Sequence, residues 1–367
     1  MPPVVDPALQ PLIERVNAAR SAGAELEIRG GGTKAFYGEA PQGEPFDVTG
    51  FAGISSYEPT ELVVTARCGT RLGELEATLA ERGQYLAFEP PHFGGAATVG
   101  GMVAAGLAGP SRASVGAVRD YVLGATLLGG HGELLSFGGQ VMKNVAGYDV
   151  SRLLAGSLGT LGVILEVSLK VLPQASASAT VRFQMTQASA LKQLNAWAAL
   201  PLPLNASAWW KDTLLVRLRG AMAAVESAIA RLGGELIDGG DAVSFWDGVR
   251  EHSDEFFASA RQAVDAGEQV RLWRVSVPQT TPPLTLSGEQ LIEWGGAQRW
   301  LCTAAPASQV RDAATRAGGH ATLFYARDKS AGVFAPLKSP LDRIHRELKM
   351  AFDPSRVFNP GRMYPGL

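Results

Sequence analysis

Three observations in this sequence predict an α+β fold in two parts. Residues 89 to 171 are dense in glycine and broken into short apolar runs, the texture of brief strands and turns packed closely. The segment Gln174-Ala-Ser-Ala-Ser-Ala179 is built of small residues and separates two regions of different texture. Beyond it, strand and helix periodicities follow in β-α-β-β-α order, the succession of a ferredoxin-like sheet, and they continue far enough for that sheet to be doubled.

In order along the chain, Leu9, Leu12, Ile13 and Val16 recur at helical spacing across Asp6–Ala22. Glu25–Arg29 alternates as a strand and runs into Gly30-Gly31-Gly32-Thr33-Lys34. Asp47–Thr49 and Leu62–Ala66 read as strands. Thr70 is the expected cap of a helix over Arg71–Gly83, with Leu72, Leu75, Ala77 and Leu79 on its apolar stripe. Val118–Leu128 predicts a strand pair around Gly124, Gly129–Gly132 a turn, and Glu133–Phe137 a returning arm. A short helix over Ser151–Leu158 and a strand over Gly162–Val171 close a first domain, residues 1–173.

After the 174–179 linker, strands are expected at Thr180–Met185, Ala206–Trp209, Thr213–Leu218, Val270–Val277, Gln290–Trp294, Arg299–Cys302 and His320–Tyr325. Helices are expected at Ala188–Ala199, Ala221–Leu232 and Ala307–Ala317, which together outline a second domain over residues 180–335. Residues 336–367 hold a last amphipathic helix, Pro336–Phe352, marked by Leu341, Ile344, Leu348 and Phe352, and a tail. No sequence repeat of fixed period is visible.

Composition excludes several classes. With 46% hydrophobic and 19% charged residues and a net charge of −2, the chain is neither disordered nor electrostatically suited to nucleic acid. Cys68 and Cys302 are too few for a disulfide framework or a four-thiolate metal site. The N-terminus carries Asp6 and no basic region before an apolar core, so a signal peptide is not expected. The apolar run near residues 99–110 falls short of the ~20 residues a spanning helix needs. A cytoplasmic location is therefore expected, with any membrane contact made through a partner.

Motifs narrow the chemistry further. No glycine precedes lysine, so a Walker A loop is missing, and no GxGxxG or GxSxG occurs. His92, His131, His252, His320 and His345 show no metal-ligand spacing. What remains is an ordered set of glycine motifs. Arg29-Gly-Gly-Gly-Thr33 ends a strand, where consecutive N–H groups can form an anion nest or simply turn the chain. Gly94-Gly-Ala-Ala-Thr98-Val-Gly100-Gly101 follows, open to the same two readings: ligand cradle or close packing. Gly109-Pro-Ser111-Arg112, Lys143-x-x-x-Gly147-Tyr148-Asp149, Gly159-Thr-Leu-Gly162-Val163-Ile164 and Phe358-Asn359-Pro-Gly-Arg362 complete the series.

In this order the motifs resemble the FAD-binding domain of the vanillyl-alcohol oxidase family, the PCMH type, over about Leu26–Pro173 and the Phe352–Arg362 segment. The resemblance implies a two-subdomain FAD-binding domain to which the C-terminal segment returns. It implies that Arg29, Gly30, Gly31, Gly32, Thr33 and Lys34, with Pro90, Gly94, Thr98, Val99, Gly100 and Gly101, hold the pyrophosphate, largely through main-chain donors. It further implies that Ser111, Arg112, Gly116 and Asp120 line the flavin's middle, and that Gly159, Gly162, Val163 and Ile164 meet the adenine or ribose. Asn359 is expected to reach the ring from the second domain. Neither glycine segment carries the histidine or cysteine that in much of the family bonds to the flavin, so the FAD is expected to be non-covalent.

Within that family the chain is similar to D-lactate dehydrogenases and, more narrowly, to the smaller FAD-binding subunits of bacterial glycolate oxidases. That likeness implies a hetero-oligomer with a second flavin subunit and an iron–sulfur subunit, this chain lacking the cysteines to hold a cluster itself. The substrate implied is glycolate or a similar small 2-hydroxy acid. The relatives' HxGDGN-type strand is reduced here to Gly319-His320-Ala-Thr-Leu. His320 is the candidate base, or else a strand histidine bonded to backbone. Arg112 and Arg327 are candidates for the substrate carboxylate, because a guanidinium can bind it bidentately. Trp209, Trp210, Trp294 and Trp300 read as core or interface. Two functions stay open: oxidation of the acid by this chain, or an FAD that relays electrons or serves structure while a sister subunit does the chemistry. A reductase using NAD(P)H is disfavoured by the missing dinucleotide fingerprint.

Overall fold

The computed structural model describes residues 6–139 and 149–367. The Lys143–Tyr148 part of the motif series lies outside the described residues. Among those described, the first part opens with α1 (Gln10–Ala22), which packs on a parallel pair, β1 (Leu26–Arg29) and β2 (Glu44–Asp47). A five-stranded antiparallel sheet follows, with β3 (Ile54–Glu58), β4 (Val63–Arg67), β6 (Val122–Leu128), β7 (Leu134–Gly138) and β8 (Val163–Lys170) in the order β3-β4-β8-β6-β7. Against it lie α2 (Leu72–Ala80) and α3 (Val99–Ala105), whose Leu72, Leu75, Leu79, Val99, Met102 and Val103 fill one core with Val64, Val167 and Leu169. The short pair β5 (Gln84–Tyr85) and β9 (Leu172–Pro173) and the single turns α4 (Arg112–Val115) and α5 (Val150–Leu153) complete this part.

The second part is a single eight-stranded antiparallel sheet made of two ferredoxin-like units. The first holds β10 (Ala177–Gln184), α6 (Gln187–Ala198), β11 (Leu204–Trp210), β12 (Thr213–Gly220), α7 (Met222–Leu232) and β13 (Glu235–Leu236). Helices α8 (Gly239–Glu251) and α9 (Glu255–Asp265) separate it from the second, which holds β14 (Arg271–Ser276), β15 (Glu289–Glu293), β16 (Gln298–Thr303), α10 (Ala307–Arg316) and β17 (His320–Tyr325). The sheet runs β13-β10-β12-β11-β15-β16-β14-β17. Numbering each unit's strands one to four gives 4-1-3-2 in both, and the units meet edge to edge through their second strands, β11 and β15. The second unit replaces its first crossover helix with the proline-bearing stretch 277–288. The doubling therefore exists in topology without a sequence repeat, because a sheet order needs only alternating strands that pair correctly.

Several local expectations shift. Thr70 does not cap α2; its hydroxyl bonds both the N–H and the carbonyl of Gly53, and the helix begins after Arg71. Val118–Leu128 is one strand preceded by a 3-10 turn at Val118–Asp120, not a pair. The strand expected at Asp47–Thr49 lies earlier, at Glu44–Asp47, where it pairs with β1. Strand β10 starts at Ala177, inside the expected linker, where Ala177 pairs with Gly220. The last helix, α11, spans Leu341–Phe352, shorter than expected at its start. Helices α8 and α9 were not anticipated from periodicity; α9 buries Phe256, Phe257, Ala260 and Val264 on one face.

Beyond α11 the tail folds back on the first part. Phe358 forms a parallel bridge with Leu26, with Leu26 N–H donating to Val357 O (2.6 Å) and Asn359 N–H to Leu26 O (2.9 Å). A mixed aromatic core joins the two parts, with Tyr37, Ala105 and Leu158 from the first meeting Phe257, Trp300 and Phe324 from the second. A buried ion pair pins the same boundary. Glu89 accepts from Arg217 at 2.6 and 2.7 Å, from Arg219 at 3.1 Å and from Ser111 N–H at 3.1 Å.

Candidate functional site

A cavity of about 420 Å³ opens where β1 ends. Its walls are Arg29 through Ala35, the start of α3 (Thr98, Gly100, Gly101), the Leu158–Ile164 region and, from the tail, Asn359 and Arg362. The N–H groups of Gly30, Gly31, Gly32, Thr33 and Lys34 donate to no other described residue. Main-chain donors left open along one wall of a cavity suit an anionic group, such as a diphosphate, that needs several acceptors met at once. Gly32 sits at φ +71 with nothing within 4 Å of where a Cβ would stand, a conformation that glycine adopts without strain.

The other glycines act differently. A Cβ on Gly31 would fall on the Ala96 carbonyl, and one on Gly30 would stand 2.5 Å from Thr98 Oγ1. A Cβ on Gly100 would lie 2.7 Å from Cys68 Cβ, and one on Gly159 2.6 Å from Asn359 Nδ2. These positions are glycine so that a neighbouring segment can come close, by its backbone at Gly31 and Gly100 and by a side chain at Gly30 and Gly159. Close packing, one of the two readings left open by the sequence, holds at these residues. Thr98 caps α3, its Oγ1 accepting from Gly101 N–H at 3.3 Å.

The charges in the cavity are few. Lys34 is half-buried, and desolvation pushes its pKa down to about 8 against the upward pull of Glu251. Its Nζ donates to His92 O (3.2 Å) and to Thr33 Oγ1 (3.4 Å). Arg29 is paired with Glu27 at 2.7 Å. Arg362 spends its guanidinium on main-chain carbonyls, donating to Ala35 O (2.8 Å), Tyr37 O (2.6 Å) and Glu39 O. Cys68 also lines the cavity, but burial pushes its thiol up to about 12, so it stays protonated and a poor nucleophile. His92 lies outside the lining, with Nε2 2.9 Å from Glu76 and its N–H held by Glu251.

Of the residues expected to hold cofactor, Arg29 to Lys34, Thr98, Gly100, Gly101, Gly159, Gly162, Val163, Ile164 and Asn359 converge on this cavity. Others do not. Val99 points into the core, and Gly94 is not among the lining residues; a Cβ there would stand 3.5 Å from the Thr33 methyl. Pro90 is not among the lining residues. Ser111 is fully buried, donating to Ala87 O at 2.6 Å, so its hydroxyl is spent on structure. Gly116 (φ +100) and Asp120 close a turn of their own, Asp120 accepting from Ala117 N–H at 2.8 Å. Asn359 belongs to the tail on β1, not to the second sheet. Its Oδ1 accepts from Ile28 N–H (2.7 Å) and its Nδ2 donates to Leu158 O (2.6 Å).

The three candidates for substrate chemistry are apart. His320 opens β17 opposite Ser276, and Arg327 lies beyond the strand's other end, donating to Asp265 O at 3.5 Å. A strand of that length separates its ends by about 17 Å. Arg112 lies 4.6 Å above the Trp294 ring. The residues that sequence reasoning missed are on the sheet face toward the first part. Arg274 in β14 reaches Tyr37 Oη at 3.5 Å, and its positive charge lowers the pKa of both His320 and His252, in each case after burial as the larger cause. The Nε of Arg274 and the Nε and Nη2 of Arg261 are buried and find no partner among the described residues. Their one sequence signal was the alternation Leu272, Arg274, Ser276, a charge on a face that ought to be covered. Around them stands an aromatic wall: Phe36, Phe93, Phe324 and Trp300, with His252 stacked 3.9 Å from Phe257.

Comparison with known proteins agrees with this geometry. A family model described as an FAD binding domain matches residues 9–138. The glycolate oxidase subunit GlcE of Escherichia coli (strain K12) is 48% identical over 358 residues, 98% of either chain. A D-lactate dehydrogenase of Archaeoglobus fulgidus is 36% identical over 155 residues, 40% of this chain and 33% of that one. The glycolate oxidase subunit GlcD of Bacillus subtilis (strain 168) is 33% identical over 121 residues, 32% of this chain and 26% of that one. Among solved structures, an alkyldihydroxyacetonephosphate synthase superposes with a TM-score of 0.64 at 15% identity, over 96% of this chain and 75% of that one, a likeness of fold. The cofactor these comparisons indicate is FAD.

Proposed function

This chain belongs to the family of the glycolate oxidase subunit GlcE, an FAD-dependent oxidoreductase family, and on that premise we propose that it holds FAD non-covalently within a multi-subunit enzyme that oxidises a small 2-hydroxy acid, glycolate or D-lactate, to the 2-oxo acid. The observation that carries this reading is the run of open N–H donors from Gly30 to Lys34 facing Gly100, Gly101 and the Gly159–Gly162 loop. They would take the diphosphate, with Lys34 adding a positive charge at its edge. Val163 and Ile164, at the start of β8 before its pairing with β4 begins at Glu166, would lie beside the nucleoside. The bound flavin would supply the acceptor for the substrate's α-hydrogen and its electron pair.

The second sheet supplies the polar groups this chain can turn toward an acid. Arg274, with a buried Nε left unpaired, suits a carboxylate better than Arg327, which is engaged at Asp265, or Arg112, which stacks on Trp294. His320 has a lowered pKa and so stays neutral at pH 7, the form whose bare ring nitrogen can accept the hydroxyl proton. The aromatic wall of Phe36, Phe93 and Phe324 would exclude water between the two groups of residues.

A relay role is favoured by one feature. No residue of the eight-stranded sheet lines the described cavity, so the walls that meet the cofactor and the residues suited to substrate belong to different parts. In that reading a sister flavin subunit and an iron–sulfur subunit complete the enzyme. No helix among the described residues is long and apolar enough to cross a membrane, so membrane contact would run through those partners. Anaerobic addition of glycolate to the isolated, FAD-loaded chain separates the two. Prompt bleaching near 450 nm supports oxidation by this chain, and bleaching only after the sister flavin subunit is added supports the relay. An isolated chain that cannot be loaded with FAD at all defeats both.

A further inference from the structure

Lys349 and Asp353 form an ion pair on the last turn of α11, 3% and 0% exposed at their side chains and 2.7 Å apart. The Lys349 ammonium also donates to Thr160 O (2.8 Å) and Phe358 O (2.7 Å), so all three of its protons are used. Asp353 accepts from Val357 N–H at 2.9 Å and from Phe358 N–H at 2.8 Å. Two buried charges thus sit outside the lining of the cavity at the end of β1. A pair of this kind is a weak source of stability, since desolvation offsets most of its attraction, but it strongly specifies which groups meet.

What it specifies is the position of the tail. Thr160 follows Gly159 in a loop of the cavity wall, and Phe358 precedes Asn359. Asn359 then bridges Ile28 N–H and Leu158 O, and Arg362 gathers the carbonyls of Ala35, Tyr37 and Glu39. Three segments that surround the cavity are held together by one stretch of chain: the end of β1, the loop after the glycine nest, and the Leu158–Gly162 loop. That stretch lies outside the 9–138 region matched by the family model.

We propose that Lys349 and Asp353 are positioning residues for the cofactor, a latch that seats the tail as a wall of the FAD cavity and so couples tail docking to FAD affinity. The inference rests on the FAD reading above. Coupling of this kind is reciprocal: if the docked tail favours FAD, bound FAD favours the docked tail by the same factor. The charge-neutral double variant Lys349→Met with Asp353→Asn avoids stranding either ion, and FAD binding is followed by flavin fluorescence quenching beside a melting curve of the apo form. The expected result is an FAD dissociation constant at least tenfold weaker together with a lower apo melting temperature, because Thr160 O and Phe358 O lose their donor. Wild-type FAD affinity in a variant whose apo form melts lower would overturn the proposal and leave the pair merely structural.

Should the double variant not fold, the wild-type protein carries the test. On the wild-type protein, amide exchange at Leu26, Ile28 and Asn359 should slow when FAD is added, and equal exchange with and without FAD would also sink the latch. Failure of the wild type to bind FAD would instead defeat the underlying reading, so the two failures are distinguishable.

Discussion

The two parts of this molecule build their polar surfaces by opposite means. Around the cavity at the end of β1 the work falls to main chain: open N–H groups of Gly30–Lys34, glycines that let loops approach, and one half-buried lysine. In the second part it falls to side chains: Arg274 and the exposed His320 on the sheet, with Arg261 of α9 and His252 after α8 set among Phe36, Phe93, Trp300 and Phe324. A main-chain site is written in local conformation and tolerates little added volume. A side-chain site depends on which strands become neighbours and can lose a residue without losing the fold. Substitutions in the two regions should therefore fail in different ways.

The largest effect is expected at Gly31. Gly31→Ala puts a Cβ onto the Ala96 carbonyl and forces apart the two loops that frame the cavity. FAD loading, read as absorbance near 450 nm per protein, should be lost. Gly32→Ala is the control, since it has space and meets only the strain of φ +71, about 1 kcal/mol. It should keep most of its FAD. Equal loss in both would show that conformation, not contact, governs this wall.

Next in size is Arg274→Met. Arg274→Met removes a buried Nε that has no partner and gives up the long 3.5 Å contact from the guanidinium to Tyr37 Oη, so the melting temperature should change little. If the sheet face meets a small acid, KM for glycolate should rise at least tenfold with FAD affinity unchanged. A fall in FAD affinity instead would tie Arg274 to the cofactor and erase the division between the parts.

The pH dependences are smaller and also differ by region. Lys34 has a pKa near 8 in the free protein, and a bound diphosphate must raise it. FAD affinity should therefore be flat below about pH 8 and weaken as pH rises above it, and Lys34→Arg should flatten the profile. His252 has the opposite sign of effect, on stability. Burial and then Arg261 and Arg274 hold its pKa well below 6.5, so it is neutral when folded. Its stabilising contribution is complete above the unfolded pKa near 6.5 and is lost as pH falls below it, by about 1.4 kcal/mol per pH unit. In urea titrations from pH 7 to 5, His252→Phe should reduce that slope. An unchanged slope would place the acid sensitivity elsewhere.

Much of the first part could be read from residues in series. The glycine nest follows β1 as the alternation of Glu25–Arg29 suggested, and β8 appears within the residues expected for it. Thr70 shows the limit: a threonine before an apolar helical run looks like a cap, yet its hydroxyl is claimed by Gly53, 17 residues earlier. Ser111 and Gly116 fit the motif order but are consumed by Ala87 and Asp120, contacts no spacing reveals.

Taken alone, the sequence determined where backbone must be glycine, which stretches alternate, and which family the motifs resemble, because conformational preference and periodicity act over a few residues. Only the tertiary structure decided that Lys349, Asp353, Asn359 and Arg362 come back to brace β1 and the glycine loop, and that Arg274 meets Tyr37 across 237 positions. It also decided that two units with the same strand order join through β11 and β15. Those outcomes rest on long-range pairing and burial, which choose partners by shape and charge after the chain has collapsed, and leave no mark in the order of residues.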